Sequence, residues 1–162
     1  MEELYKKYST LIYHYLYGLT NDSEISEELM QETFCSALKT INRFKGECKI
    51  SVWLCQIAKN KWKDYLTKKH KVNTIAIDNM DELYYLDTNL DDISEKEELI
   101  NLYKQIHKLE ENTREVFYLR IKANLTFKDI GDILGKTEEW ARVTFYRGKI
   151  KLKGEVLKNE KQ

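Results

Sequence analysis

Apolar positions recur at helical spacing along most of the chain. Leu4, Tyr8, Leu11, Ile12, Tyr15, Leu16 and Leu19 form one stripe, and Ile25, Leu29, Thr33, Ala37, Leu38 and Ile41 form a second after the turn signal Asn21-Asp22-Ser23. The two stripes predict an antiparallel helix pair. A third helix is predicted from about Lys49 to Lys71, after the turn Phe44-Lys45-Gly46-Glu47, with Ile50, Trp53, Leu54, Ile57, Ala58, Tyr65 and Leu66 in one apolar sector. Residues 1–71 thus read as a three-helix bundle.

The second half carries stronger punctuation. Ser94-Glu95-Lys96-Glu97 is a capping box, in which a hydroxyl and a carboxylate satisfy free amides at a helix start, and Leu99, Leu102, Ile106 and Leu109 follow as the apolar stripe. Asn112-Thr113-Arg114-Glu115 opens another helix through Val116, Phe117, Leu119 and Arg120, ending near Asn124. Thr126-Phe127-Lys128-Asp129 is a second capping box, leading into Ile130, Ile133 and Leu134 and then Gly135, a residue suited to the left-handed helix end. Thr137 starts the final helix. A short helix, a glycine turn and a longer helix make the layout of a helix-turn-helix.

Composition agrees with an all-α chain: proline is absent and glycine occurs only six times in 162 residues. With 33% charged and 42% apolar residues it sits among soluble globular chains. Net charge is zero, but residues 1–71 hold 12 basic against 9 acidic groups, residues 72–98 hold 1 against 9, and residues 99–162 hold 14 against 9. Two basic modules, 1–71 and 94–162, are therefore expected on either side of an acidic linker at 72–93. No apolar run is long enough to span a bilayer and Met1-Glu2-Glu3 lacks the blocks of a signal peptide, so a cytoplasmic address is expected.

Little in the chain points to bond-making chemistry. Cys35, Cys48 and Cys55 are odd in number and lack metal-ligand spacing; His14, His70 and His107 are scattered. Free thiols, no metal, no cofactor and no enzymatic activity are the expectations. Nucleic-acid chemistry is better represented. Winding the third helix at about 100° per residue puts Lys49, Gln56, Lys59, Asn60, Lys63, Thr67 and His70 in one arc without a carboxylate, opposite the apolar sector. That arc is either a solvated lysine face or a phosphate-tracking surface. Phe44, Lys45, Gly46 and Lys49 just ahead of it combine an aromatic, cations and a flexible glycine, as single-strand binding sites do. On the final helix Ala141, Phe145, Gly148 and Leu152 make a buried edge, which turns Arg142, Val143, Tyr146 and Arg147 outward near the helix start. Arginine can bridge guanine O6 and N7, Val143 can touch a thymine methyl, and Lys149 and Lys151 suit phosphates.

Laid out in this order, the chain resembles an extracytoplasmic-function (ECF) sigma factor of bacterial RNA polymerase, with sigma regions 2 and 4 only. The resemblance covers about residues 2–71 and 96–153. It rests on Leu4-Tyr5-Lys6-Lys7-Tyr8, Glu28-Leu29-Met30-Gln31-Glu32-Thr33-Phe34, Arg43-Phe44-Lys45-Gly46, Trp53-Leu54-Cys55-Gln56-Ile57-Ala58-Lys59-Asn60 and Thr126-Phe127-Lys128-Asp129-Ile130-Gly131. By position it implies that Leu29, Gln31, Glu32 and Phe34 dock on the clamp helices of the polymerase largest subunit. It implies that Phe44, Lys45, Gly46, Glu47, Cys48 and Lys49 capture a flipped base of the -10 element, and that the following helix, through Gln56, Lys59, Asn60 and Lys63, meets the melted strand. Arg142, Val143, Thr144, Tyr146 and Arg147, backed by Lys149 and Lys151, would read the -35 element, and the same region would meet the polymerase flap. An anti-sigma factor is a further implied partner. Cys48 stands where a serine is usual, Trp140 where a small residue is usual and Thr144 where arginine is frequent, so the family's -35 sequence preference is not carried over. Two other readings remain open from the residues themselves: a helix-turn-helix repressor with a sensing or dimerising bundle, and a helical metal-dependent hydrolase.

Overall fold

The computed structural model describes residues 2–70 and 93–159, and side chains over 2–69 and 100–154. Within these residues the chain forms seven α-helices and no strand: α1 (Glu2–Thr20), α2 (Ser23–Thr40), α3 (Ile50–His70), α4 (Ile93–His107), α5 (Glu111–Ile121), α6 (Phe127–Leu134) and α7 (Glu138–Asn159), with a 3-10 turn at Ile41–Arg43. The all-α expectation holds. Residues 71–92, which carry nearly all of the expected linker, and the side chains of the Ser94–Glu97 capping box lie outside the described residues.

Local chemistry sets the helix ends. Asn21 takes a left-handed φ of 52° between α1 and α2, and Asp22 Oδ1 accepts the Ile25 amide at 3.0 Å, the N-cap that the turn signal predicts. At α6 the Thr126 hydroxyl accepts the Asp129 amide and the Asp129 carboxylate accepts the Thr126 amide, each at 3.1 Å, so both halves of the capping box form. Gly135 ends that helix at φ 65°, and the Trp140 amide donates to Thr137 Oγ1 at 3.1 Å to start α7.

One apolar cluster runs through both halves of the chain. It joins Ile12, Tyr15, Leu16, Leu29, Phe34, Val52, Leu54, Cys55 and Ala58 to Val116, Leu119, Ile130, Ile133 and Ala141. A smaller cluster of Tyr103, Ile106, Phe117, Tyr118 and Leu152 ties α4 to α5 and α7. Two expected core residues are displaced: Leu38 is 56% exposed and Leu102 is 38% exposed, with Tyr103 and Ile106 supplying the inner face of α4 instead. Conversely Tyr17, Val52 and Cys55 are buried although their own helices' stripes leave them out. Residues of α5 and α6 share the core with Val52 and Cys55, and α1 packs on α5 as well as on α2 and α3, so α1 and α3 are apolar on two sides rather than one.

Candidate nucleic-acid interface

The outer face of α7 is built as its spacing predicts. Ala141, Gly148 and Leu152 are buried and Phe145 is half-buried, stacked at 4.7 Å between ring centroids on Phe117. A Cβ on Gly148 would lie 2.5 Å from the Phe117 ring, so only glycine lets α7 approach α5 this closely. With that edge pinned, Tyr146, Arg147, Lys149 and Lys151 are exposed, while Val143 and Thr144 are half-buried on the flank. Arg142 also points outward, but its guanidinium is forked between Glu138 at 2.6 Å and Glu139 at 3.0 Å. Ion pairs this exposed contribute about 0–1 kcal/mol, so a guanine or a phosphate can displace them. Trp140 is half-buried beside this surface, with the Lys136 ammonium 5.7 Å from its ring.

A second exposed group surrounds the turn between α2 and α3. Phe44 rests on Trp53 with ring centroids 5.0 Å apart, which anchors the turn, while Lys45, Gly46 and Glu47 project from it. Gly46 adopts φ 73° with open space where a Cβ would sit, so its role is conformational. Cys48 is half-buried; burial and the carboxylates of Asp132, Glu47 and Asp129 push its thiol above the usual range, against one backbone hydrogen bond from Trp53. A thiol held protonated in this way is a poor redox sensor.

The cationic arc of α3 divides in the fold. Asn60, Lys63 and Thr67 are exposed, as a strand-tracking face requires. Lys49, Gln56 and Lys59 instead face the C-terminal helices. Lys49 Nζ is 2.7 Å from Asp129, Gln56 Nε2 makes a long 3.5 Å contact to the Asp132 carbonyl, and Lys59 Nζ donates to both carboxylate oxygens of Glu115 at 2.7 and 2.8 Å. The Tyr15 hydroxyl donates to the same carboxylate at 2.5 Å. The arc has no acid of its own, yet it is neither solvated throughout nor free of carboxylates, because α5 and α6 bring them. Glu115, Tyr15 and Asp129 were not singled out as site residues. Spacing within one helix cannot point to a partner 56 to 100 residues away. The cue that the sequence did offer was a glutamate directly ahead of the apolar run Val116, Phe117, Tyr118, Leu119.

On α2 the expected polymerase-facing set also divides. Gln31 is exposed and Glu32 is half-buried, 3.4 Å from Lys61 of α3. Leu29 and Phe34 are buried in the core, Phe34 against Tyr5, and there they hold α2 in place rather than offer a docking surface. Neither a cluster able to hold a metal ion nor a helix long and apolar enough to cross a membrane occurs among the described residues.

Comparison with known proteins places this geometry. Residues 4–72 match the family model for Sigma-70 region 2, and residues 106–144 match that for Sigma-70, region 4. The chain is 28% identical to ECF RNA polymerase sigma factor SigM of Bacillus subtilis (strain 168), covering 94% of this chain and 93% of that one. It is 26% identical to RNA polymerase sigma factor YlaC of the same organism, covering 100% and 95%. In fold it matches the sigma factor RpoE, solved in complex with the anti-sigma factor NepR from Bartonella quintana, with a TM-score of 0.75, 17% identity and 97% and 96% of the two chains covered. CnrH, solved with the cytosolic domain of CnrY, gives a TM-score of 0.65 at 16% identity, over 96% of this chain and 86% of that one. The chain belongs to the sigma-70 family of RNA polymerase sigma factors and is of the ECF type. Its function is that of a sigma factor: joined to core RNA polymerase, it recognises promoter DNA and starts transcription. A helix-turn-helix repressor would account for region 4 but not for the region 2 match that precedes it.

Proposed function

We propose that the two exposed groups divide promoter recognition between them. The observation that carries this reading is their separation on the fold: a cationic α7 face with a buried edge behind it, and an aromatic-anchored turn leading into a lysine-bearing helix. Tyr146, Arg147 and, after release of its ion pairs, Arg142 read base edges of duplex -35 DNA, with Val143 and Thr144 on the flank and Lys149 and Lys151 on phosphates. The turn Phe44–Lys49 holds an extruded -10 base above the Phe44–Trp53 stack, and Asn60, Lys63, Lys59 and Gln56 follow the opened strand. Gln31 and Glu32 present the α2 surface to the polymerase clamp. The flap meets region 4. The two solved neighbours described above are complexes with anti-sigma partners or a partner's cytosolic domain, which supports a partner of that class for this chain.

Flipping a base out of a duplex costs a few kcal/mol, and a pocket for that base matters only while the strands must be opened. Phe44→Ala and Lys49→Ala should therefore lower run-off transcription from a duplex promoter at least tenfold, and from the same promoter carrying a mismatch bubble much less. Arg147→Ala, which removes a contact to duplex DNA costing about 1–3 kcal/mol, should be relieved far less by the bubble. Equal losses on both templates for the turn variants would rule out a role in strand opening.

A further inference from the structure

Glu115 sits where a carboxylate needs a reason. Its side chain is 3% exposed on α5, yet among the described residues its charge is met by groups from the other half of the chain: Lys59 of α3, itself 17% exposed, and the Tyr15 hydroxyl of α1. Such a pair is strong because water is excluded from it, and a buried charge that loses its partner is heavily penalised unless it can reach solvent. Separation of α5 from α1 and α3 gives Glu115 that solvent, so the contact can open without unfolding either half. A second feature of the same seam is steric. Gly18, inside α1, lies under the Tyr118 ring of α5, where a Cβ would come within 2.4 to 2.7 Å of three ring atoms. The third is Lys49 against Asp129, which is more exposed and contributes less.

The cations held across this seam, Lys49 and Lys59, belong to the face assigned above to the opened promoter strand. We propose that the free chain is a closed form latched by Glu115, in which the region 4 helices occupy the strand-tracking lysines of α3, so that promoter DNA and Glu115 compete for the same cations. Opening exposes Val116, Leu119, Ile130 and Ile133 together with Tyr15, Val52 and Cys55, an apolar seam that disfavours a spontaneously open chain. Docking of the two regions at separate places on core polymerase supplies what the open form lacks, and the latch keeps the uncomplexed protein from engaging single strands. The apparent affinity of the free chain for DNA is then reduced by the fraction that is closed.

Two variants test the latch by unrelated physics. Glu115→Gln removes the charge while keeping the shape, and Gly18→Ala inserts a methyl under Tyr118 without changing net charge. Förster transfer is measured in the full chain between dyes on the exposed Cys35 and an introduced Lys128→Cys, in a background carrying Cys48→Ser and Cys55→Ala so that labelling stays specific in the closed and the open form alike. Both variants should lower transfer and tighten binding to a short fluorescent single-stranded DNA about tenfold, within the range usual for coupling between sites. Adding Lys59→Ala to Gly18→Ala should cancel that gain. Helical circular dichroism checks folding; if Glu115→Gln loses helix content, Gly18→Ala alone decides. Because the proposal rests on the assignment of α3 to promoter DNA, both variants are also run with core polymerase on a pre-opened promoter. Wild-type initiation there, with transfer and DNA affinity unchanged, overturns the latch and leaves the promoter reading intact; lower transfer without tighter DNA binding overturns the competition for Lys59.

Discussion

At Gly131 two stretches of backbone meet. A Cβ there would come within 2.7 Å of the Lys136 carbonyl oxygen and about 3.0 Å of the Thr137 carbonyl carbon, atoms of the turn that joins α6 to α7 and that cannot swing aside as a side chain could. Alanine improves helix propensity by about 1 kcal/mol, while overpacking of this kind costs about 1–3 kcal/mol, so Gly131→Ala should lower stability on balance. Gly154 supplies the contrast: nothing lies within 4 Å of its missing Cβ, and Gly154→Ala in α7 should raise stability by about 0.5–1 kcal/mol. Urea unfolding of the two variants measures both signs; a stabilised Gly131→Ala would mean that the turn is looser than described. The role of Gly135 as a left-handed cap was legible from its place after Leu134, because it depends only on local backbone. The requirements for glycine at Gly18, Gly131 and Gly148 were not all equally visible. Each depends on what another segment places against it, and only at Gly148, on the buried edge of α7, did helical spacing reveal the approach.

Among the elements, α6 shows a local signal recruited for a distant contact. Asp129 was legible as the reciprocal partner of Thr126, but its second partner, Lys49, was not. Burial raises the pKa of its carboxyl, but the hydrogen bonds from Lys49 and from Thr126 outweigh burial and hold the value below the usual range of about 4. A depressed value in the folded state adds stability that is present above the unfolded pKa and lost as pH falls through the folded one. The stability gap between wild type and Asp129→Asn should therefore be full at neutral pH and close as pH drops below about 4. Urea titrations across that range check it, and a gap that widened with acid would contradict the assigned partners. The same divide applies along α3. Its start and apolar sector were readable, whereas Val52 and Cys55 escaped notice because the helices that cover them, α5 and α6, lie more than fifty residues further along the chain. Leu38 and Leu102 are the opposite error, residues in register with a stripe but at an edge that the described helices leave exposed.

For the whole molecule, the sequence displayed two helical modules with mild basic surpluses and the motifs of regions 2 and 4, and the family comparison agrees with them. What it did not display was the seam between them, where Glu115, Tyr15, Lys59, Gly18 and Tyr118 meet, since none of these lies in a motif that the others would complete. The seam also bears on how little DNA the isolated chain should hold: its net charge is zero, and part of its cationic surface is already paired. Polymerase then supplies affinity by fixing two weak contacts at a set separation, so that the second contact forms as an intramolecular event. The most direct measurement is run-off transcription by purified core RNA polymerase over a library of randomised duplex DNA, with and without this chain, sequencing the transcript 5′ ends. Initiation that depends on the chain, at sites sharing a -10 and a -35 element at constant spacing, is the expected result, with little sequence-specific retention of the same DNA by the chain alone. No chain-dependent start sites, or tight specific binding of a palindrome by the free chain, would contradict it.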